Sequence, residues 1–199
     1  MKTTVMAAFA AIALSSAAMA DDFDANRLTT KVTVDNLEFS VSTDVSNSLD
    51  GFGDTWAIGA GLTVLEYDLG SGVSDLFVFG RYEDATVNTQ LGAEYTWTVV
   101  KNDTTVALAG EALYDFNRDA VLVTPSVNVE YAVSRSVDVF GEVGYTWDAS
   151  NDFARDGGYL EVGADLALSE AVNLRPSVVQ GFDDGAEDAQ FNLELGLKF

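Results

Sequence analysis

From residue 37 to its end, the chain alternates apolar and polar residues with a period of two, in one segment after another. The last segment shows it best. Phe191, Leu193, Leu195, Leu197 and Phe199 share one face, and Asn192, Glu194, Gly196 and Lys198 share the other. Strand side chains point alternately to two faces, whereas helical ones repeat every ~3.6 residues, so this pattern demands half-exposed β-strands. Turn residues interrupt the alternation and divide it into ten expected strands, at 37–47, 55–67, 74–83, 86–99, 103–114, 120–133, 136–147, 157–168, 171–181 and 188–199. Eight or twelve strands are the alternative divisions. Each segment is close to the ~9–11 residues that a tilted strand needs to cross a bilayer. Pro125 and Pro176 fall inside two of these strands, where a missing N–H interrupts the ladder, so local irregularity is expected there.

The N-terminus follows a different pattern. Met1-Lys2 is a short basic start, Val5 to Leu14 is apolar, and Ala18-Met19-Ala20 is a small-residue cleavage signal followed by Asp21-Asp22. This is the layout of a secretory signal peptide cut after Ala20, and the apolar run is too short to span a membrane as a helix (~20 residues). Residues 21–36 then read as a lead-in or as an extra strand, since Val32 and Val34 alternate with Thr33. Residues 37–199 form one domain.

Composition narrows the chemistry. The chain has no histidine, which removes the commonest general base, the nucleophile systems built on His, and imidazole metal ligands. With no cysteine it has no disulfides, so an exported chain of this kind takes its stability from elsewhere. Asp and Glu number 32 against 10 Lys and Arg, a formal charge of −22, which repels nucleic acid and attracts cations. No enzymatic activity and no cofactor are expected.

Alternating strands build soluble sandwiches as well as membrane barrels, and three features favour the barrel. Short connections at 69–73, 101–103, 134–135 and 169–170 alternate with longer, mostly acidic ones at 48–54, 115–119, 148–156 and 182–187, with 83–86 as a short exception. In outer-membrane barrels the short turns are periplasmic and the long loops external. Aromatic residues gather at the strand ends: Trp56, Tyr82, Tyr114, Tyr145, Trp147 and Tyr159 at the outer ends, and Tyr67, Trp97, Tyr131 and Phe199 at the inner ends. Amphipathic rings prefer the lipid–water boundary, so these are expected as two membrane-interface girdles. Finally, one face of each strand is almost purely aliphatic, while the other is small, polar and acidic. Lipid suits the first face, and closure into a barrel satisfies every strand edge.

The segment Phe191–Phe199, with its alternating hydrophobics and terminal Phe, resembles the C-terminal signal read by the outer-membrane barrel assembly machinery. Together with the leader and the strand pattern, the chain resembles the small Gram-negative outer-membrane β-barrel proteins, the porin-like family of short barrels. The resemblance implies an all-β, antiparallel up-and-down transmembrane barrel in the outer membrane, with lipid and the assembly machinery as partners. That family includes pores, adhesins, structural barrels and a few enzymes, so the resemblance does not imply one activity.

Functional residues are then expected on the inward face. Glu94, Glu111, Glu130, Asp138, Glu142, Glu161, Asp165 and Glu194 are candidate lumen-lining acids, with Glu38 beside them; Arg81, Arg175 and Lys198 are the opposing cations. Unpaired charge in a dry interior is costly, so the acid excess points to a hydrated lumen or bound cations. Arg175 is expected to pair with Glu194, Asp165 or Glu142. The expected function is a monomeric, small porin-like channel that favours cations and passes ions or small solutes by diffusion. The alternative is a non-conducting structural, adhesive or ligand-binding barrel that acts through its acidic loops.

Overall fold

The structure, a computed structural model, describes residues 25–43, 56–69, 72–84, 87–182 and 189–199. The expected leader at 1–20 and the expected loop at 48–54 lie outside the described residues, as does 183–187. The described residues contain eleven strands and no helix: β1 (Ala25–Val34), β2 (Leu37–Thr43), β3 (Trp56–Asp68), β4 (Val73–Glu83), β5 (Asn88–Lys101), β6 (Thr104–Asp115), β7 (Ala120–Ala132), β8 (Val137–Asp148), β9 (Ala154–Ser169), β10 (Val172–Gly181) and β11 (Gln190–Lys198). Each strand pairs with its neighbours in chain order, and β1 closes the sheet on β11 into a barrel. The expected all-β barrel class therefore holds.

The strand count differs from the expected ten. The addition is β1, which occupies the segment read as a lead-in or extra strand. It alternates like the others: Leu28, Thr30 and Val32 interleave with Thr29, Lys31 and Thr33. Because the count is odd, first and last strands run the same way, and β1 pairs with β11 in parallel, from Leu28 opposite Leu193 to Thr33 opposite Lys198. Every other pairing is antiparallel, and the ten strands β2–β11 match the expected segments to within a few residues at most ends. The strand β2 is described as far as Thr43, and the rest of the expected segment, 44–47, lies outside the described residues.

Tight turns gather at the rim that carries the C-terminus. They cover residues 35–36, 102–103 and 170–171, and Asp35 (φ 52°) and Asn102 (φ 57°) take the left-handed conformation that Asp and Asn tolerate best among residues with a Cβ. The opposite rim carries the longer loops 116–119 and 149–153.

Both prolines leave a mark on the ladder. β7 pairs with β8 at Leu122 and Val123 and again from Ser126 onward in unchanged register, so Thr124 and Pro125 are unpaired on that side. β10 pairs with β9 at Leu174 and again at Ser177, which skips Arg175 and Pro176. In each gap a side-chain bond on the inward face spans the two strands. The Thr124 and Thr146 hydroxyls lie 2.9 Å apart, and Arg175 donates to Asp165 across 2.9 Å. Side chains thus stand in for the ladder bonds that proline cannot make.

The apolar face of the wall points outward. Phe39, Ile58, Leu91, Val129, Leu160 and Val162 are 45–54% exposed, and no large side chain is fully buried among the described residues. Among the described residues there is no aliphatic core of the kind that holds a sandwich together, and the barrel is inside out relative to it. The small apolar cluster that does exist, Leu113, Ala120 and Leu122 with Phe79, faces inward near the long-loop rim.

Candidate functional site: the acidic lumen

The interior is built by the second face of each strand. Because side chains alternate strictly, one inward residue fixes the rest of its strand. Lys31 and Thr33 face in from β1, Glu38 and Ser40 from β2, Phe77, Phe79 and Arg81 from β4, Glu94 from β5 and Glu111 from β6; all line a cavity of about 470 Å³. Its charged lining is Asp35, Glu38, Glu66, Asp75, Glu94 and Glu111 against Lys31 and Arg81, a formal charge of 2 − 6 = −4. The cavity reaches from the 35–36 turn, at the C-terminal rim, inward to Phe79 and Arg81.

Register sets carboxylates against one another. Glu94 lies directly across from Glu111, Asp138 across from Asp165, and Glu142 across from Glu161. Like charges directly opposite on neighbouring strands destabilise a sheet unless something compensates them. Part of the compensation is visible. Tyr159 donates its hydroxyl to Glu142 across 2.5 Å, and Asn128 donates to the same carboxylate across 3.2 Å. Asp165 accepts from Arg175 and from Asn173, the latter across 3.1 Å. Lys31 pairs with Glu194 across 3.1 Å, and Thr96 donates to Glu94 across 3.1 Å. Among the described residues, Glu111, Glu130, Asp138 and Glu161 have no hydrogen-bonded or ion-paired partner. Arg81 and Arg175 offset part of the charge on Glu111 and Glu130 through space, and water or cations must solvate the negative charge that remains.

Each of the nine expected lumen residues sits on the inward face, but they are not one cluster. Glu94 and Glu111 belong to the cavity beneath β4–β6. Glu130, Asp138, Glu142, Glu161 and Asp165 line β7–β9, while Arg175 and Glu194 stand on β10 and β11. Arg175 chooses Asp165 among its three expected partners, and its guanidinium also stacks on the Phe140 ring, 3.7 Å from the centroid. Of the inward cations, Lys31, Arg175 and Lys198 lie on β1, β10 and β11, while Arg81 stands on β4 within the acid-rich wall.

Inward aromatic rings narrow the lumen. Phe77 lies against Gly61, Phe79 against Gly92, Tyr159 against Gly144 and Phe140 against Gly163. In each case the ring fills the space that a side chain on the glycine would need. Tyr159 is a correction. It was expected at a membrane-interface girdle, but its odd position on β9 places it inward beside Glu161, opposite Gly144. Glu142 and Gly144 hold it there. The other expected girdle residues face outward. Trp56 packs on Tyr82 with centroids 5.6 Å apart, and Tyr145 packs on Trp147 at 4.7 Å. Tyr114 meets Phe116 edge-on, while Tyr67, Tyr131 and Phe199 are more than half exposed. Trp97 faces outward near the C-terminal rim.

Sequence reading missed Lys31, Glu66 and Asp75 as lumen charges and Phe77, Phe79 and Phe140 as lumen rings. The signal for Lys31 was present in the alternation of Val32 and Val34. The rings had the same signal, since Phe77 and Phe79 share a face with Arg81, and Phe140 with Asp138 and Glu142, by the same alternation.

At the long-loop rim, the carboxylate of Asp115 is buried and accepts from the side chains of Asn88 and Gln90 and from the backbone of Asn117 and Arg118. The next residue along, Arg118, grips Asp156 through two bonds of 2.8 and 2.6 Å, which ties loop 116–119 to the start of β9. That hydrogen-bonded carboxylate holds the Arg118 guanidinium above its ordinary pKa.

No protein-family model matches the chain, and no curated protein sequence matches it.

Proposed function

We propose that this chain is an outer-membrane β-barrel of a Gram-negative envelope, exported by its N-terminal leader, whose acidic lumen passes cations and small polar solutes by diffusion. One observation carries the membrane reading: the closed barrel exposes its aliphatic face and turns its charged face inward. In water such a surface is an aggregation hazard, and in lipid it is the stable arrangement. The odd strand count departs from the even counts of bacterial single-chain barrels. The parallel β1–β11 seam nevertheless leaves no free edge, which is what the bilayer requires. Lipid and the assembly machinery, engaged through β11, are the partners this reading implies, and the barrel acts as a monomer.

The acid excess supports the cation preference, since acidic linings favour cations. The rings on Gly61, Gly92, Gly144 and Gly163 make the path narrow, so small unitary conductance is expected. The test is a planar bilayer holding the refolded chain from residue 21 onward, in asymmetric KCl. The expected result is steady, small openings whose reversal potential favours K⁺, with the preference weakened by Glu94→Gln and Glu111→Gln together.

A second reading rests on the inward cluster of Leu113, Leu122 and Phe79 near the long-loop rim. If that cluster seals the lumen, the barrel is structural or binds ligands through its acidic outer loops. A folded but silent barrel would establish this reading in place of the first.

A further inference from the structure

The outer surface of the wall has a groove that the lumen reading leaves unused. It has a volume of about 520 Å³ and lies on the outward face between β5 and β6, lined by Trp97, Val99, Val106 and Leu108, with Lys101, Asn102 and Thr104 at one end. Register shows its layout. Trp97 opposes Leu108, Val99 opposes Val106, and Lys101 opposes Thr104. The groove therefore runs along the strands for about 13 Å, given ~3.3 Å per residue. It is apolar from Trp97 to Val99 and carries Lys101 at the end next to the tight turn, whose Asp103 is not part of the lining. Lys101 is exposed, and among the described residues its ammonium has no hydrogen-bonded or ion-paired partner. In a chain with 32 acids and 10 bases, an unpaired lysine at the end of an apolar groove is a specific arrangement. The Trp97 ring is fixed as one wall, packed against Gly72.

We infer that this groove holds one molecule of an anionic phospholipid, with an acyl chain along Trp97, Val99, Val106 and Leu108 and the phosphate on Lys101. The inference rests on the membrane reading above, which places the C-terminal rim at a lipid–water boundary. Polarity then matches depth: the apolar length of the groove lies in the acyl region, and the ammonium lies at headgroup level. A zwitterionic lipid fills the apolar part equally well but gains less from Lys101, so the site discriminates by headgroup charge.

The test uses Trp97 as the reporter, in the full protein purified from cells and carrying Trp56→Phe and Trp147→Phe. Reconstituted into vesicles of phosphatidylcholine with brominated chains throughout, Trp97 is quenched if the wall faces lipid. Absence of quenching there overturns the membrane reading itself, and the groove proposal with it. The site is read separately, from a small fraction of brominated lipid in unlabelled phosphatidylcholine. Brominated phosphatidylglycerol is expected to associate with Trp97 about fivefold more strongly than the same fraction of brominated phosphatidylcholine. Lys101→Gln should bring the two lipids to parity, and Lys101→Arg should retain the preference. Parity in the parent protein, with quenching by the fully brominated vesicles intact, overturns the site and leaves the barrel standing. A preference that survives Lys101→Gln overturns the assignment of the headgroup to Lys101.

Discussion

Gly163 faces the lumen on β9, and a Cβ there would press on the Pro176 carbonyl and the Phe140 ring together. The carbonyl belongs to the backbone of the next strand and cannot step aside as a flexible side chain can. Gly163→Ala is therefore expected to cost about 1–3 kcal/mol, seen as a lower urea midpoint of the refolded barrel. Gly110, on the outward face of β6, has nothing within 4 Å of such a Cβ. Gly110→Ala should be neutral or stabilise by up to about 1 kcal/mol, because glycine loses the most conformational freedom on folding. Arg175 makes a matching case on the neighbouring strand. It holds Asp165 and lies over Phe140, and both partners sit where Pro176 interrupts the ladder. Arg175→Ala should lower the same midpoint by about 1–3 kcal/mol, since it leaves a half-buried carboxylate without its cation. Arg175→Lys should recover only part of this, because an ammonium does not reproduce the planar stack on the ring.

Among the strands, β1 stands apart. It shares with β11 the parallel pairing on one side, and on the other it meets β2, which pairs with it over only seven residues. Parallel ladders are slightly weaker per residue than antiparallel ones. The Oδ1 of Asn192 and the Oγ1 of Thr30, both at this seam, are buried without a hydrogen-bond partner, and such orphans cost free energy. Hydrogen exchange should therefore find the β1 amides opening before those of β5 to β8, whose ladders are longer and antiparallel on both sides. Lys31→Gln removes the ion pair to Glu194 across the seam and should hasten exchange in β1 without changing the central strands. Uniform exchange around the barrel would sink this view of the seam. The strand was also the hardest to anticipate. Its alternation is short, carries threonines at Thr29, Thr30 and Thr33, and lies within the segment read as a lead-in or an extra strand. Only the need to cover the edges of β2 and β11 decides that it is a strand.

At the scale of the whole molecule, the charge excess has one consequence that can be measured. If the carboxylates at Glu111, Glu130, Asp138 and Glu161, which lack a direct partner among the described residues, are solvated by mobile cations, screening should weaken their hold on the current. Cation preference is then expected to fall as KCl rises from ~0.01 M to ~1 M, over which the Debye length shrinks from ~30 Å to ~3 Å. A preference independent of salt would instead locate selectivity in the narrow ring-lined section.

The alternation of residues 37–199 was enough to determine that this chain builds a barrel with ten of its strands nearly in place, and to sort its acids onto the inward face. A period of two is a local property of the strand, and the contrast between aliphatic and acidic faces is written into each segment separately. Register belongs to the closed sheet instead. It alone decided that Glu94 faces Glu111 and that Asp165 takes Arg175. It also set the inward Tyr159 against Gly144 and made an eleventh strand close the wall in parallel. Each of these depends on how far one strand slides against the next, and that offset is settled only when all the strands must close on one another at once.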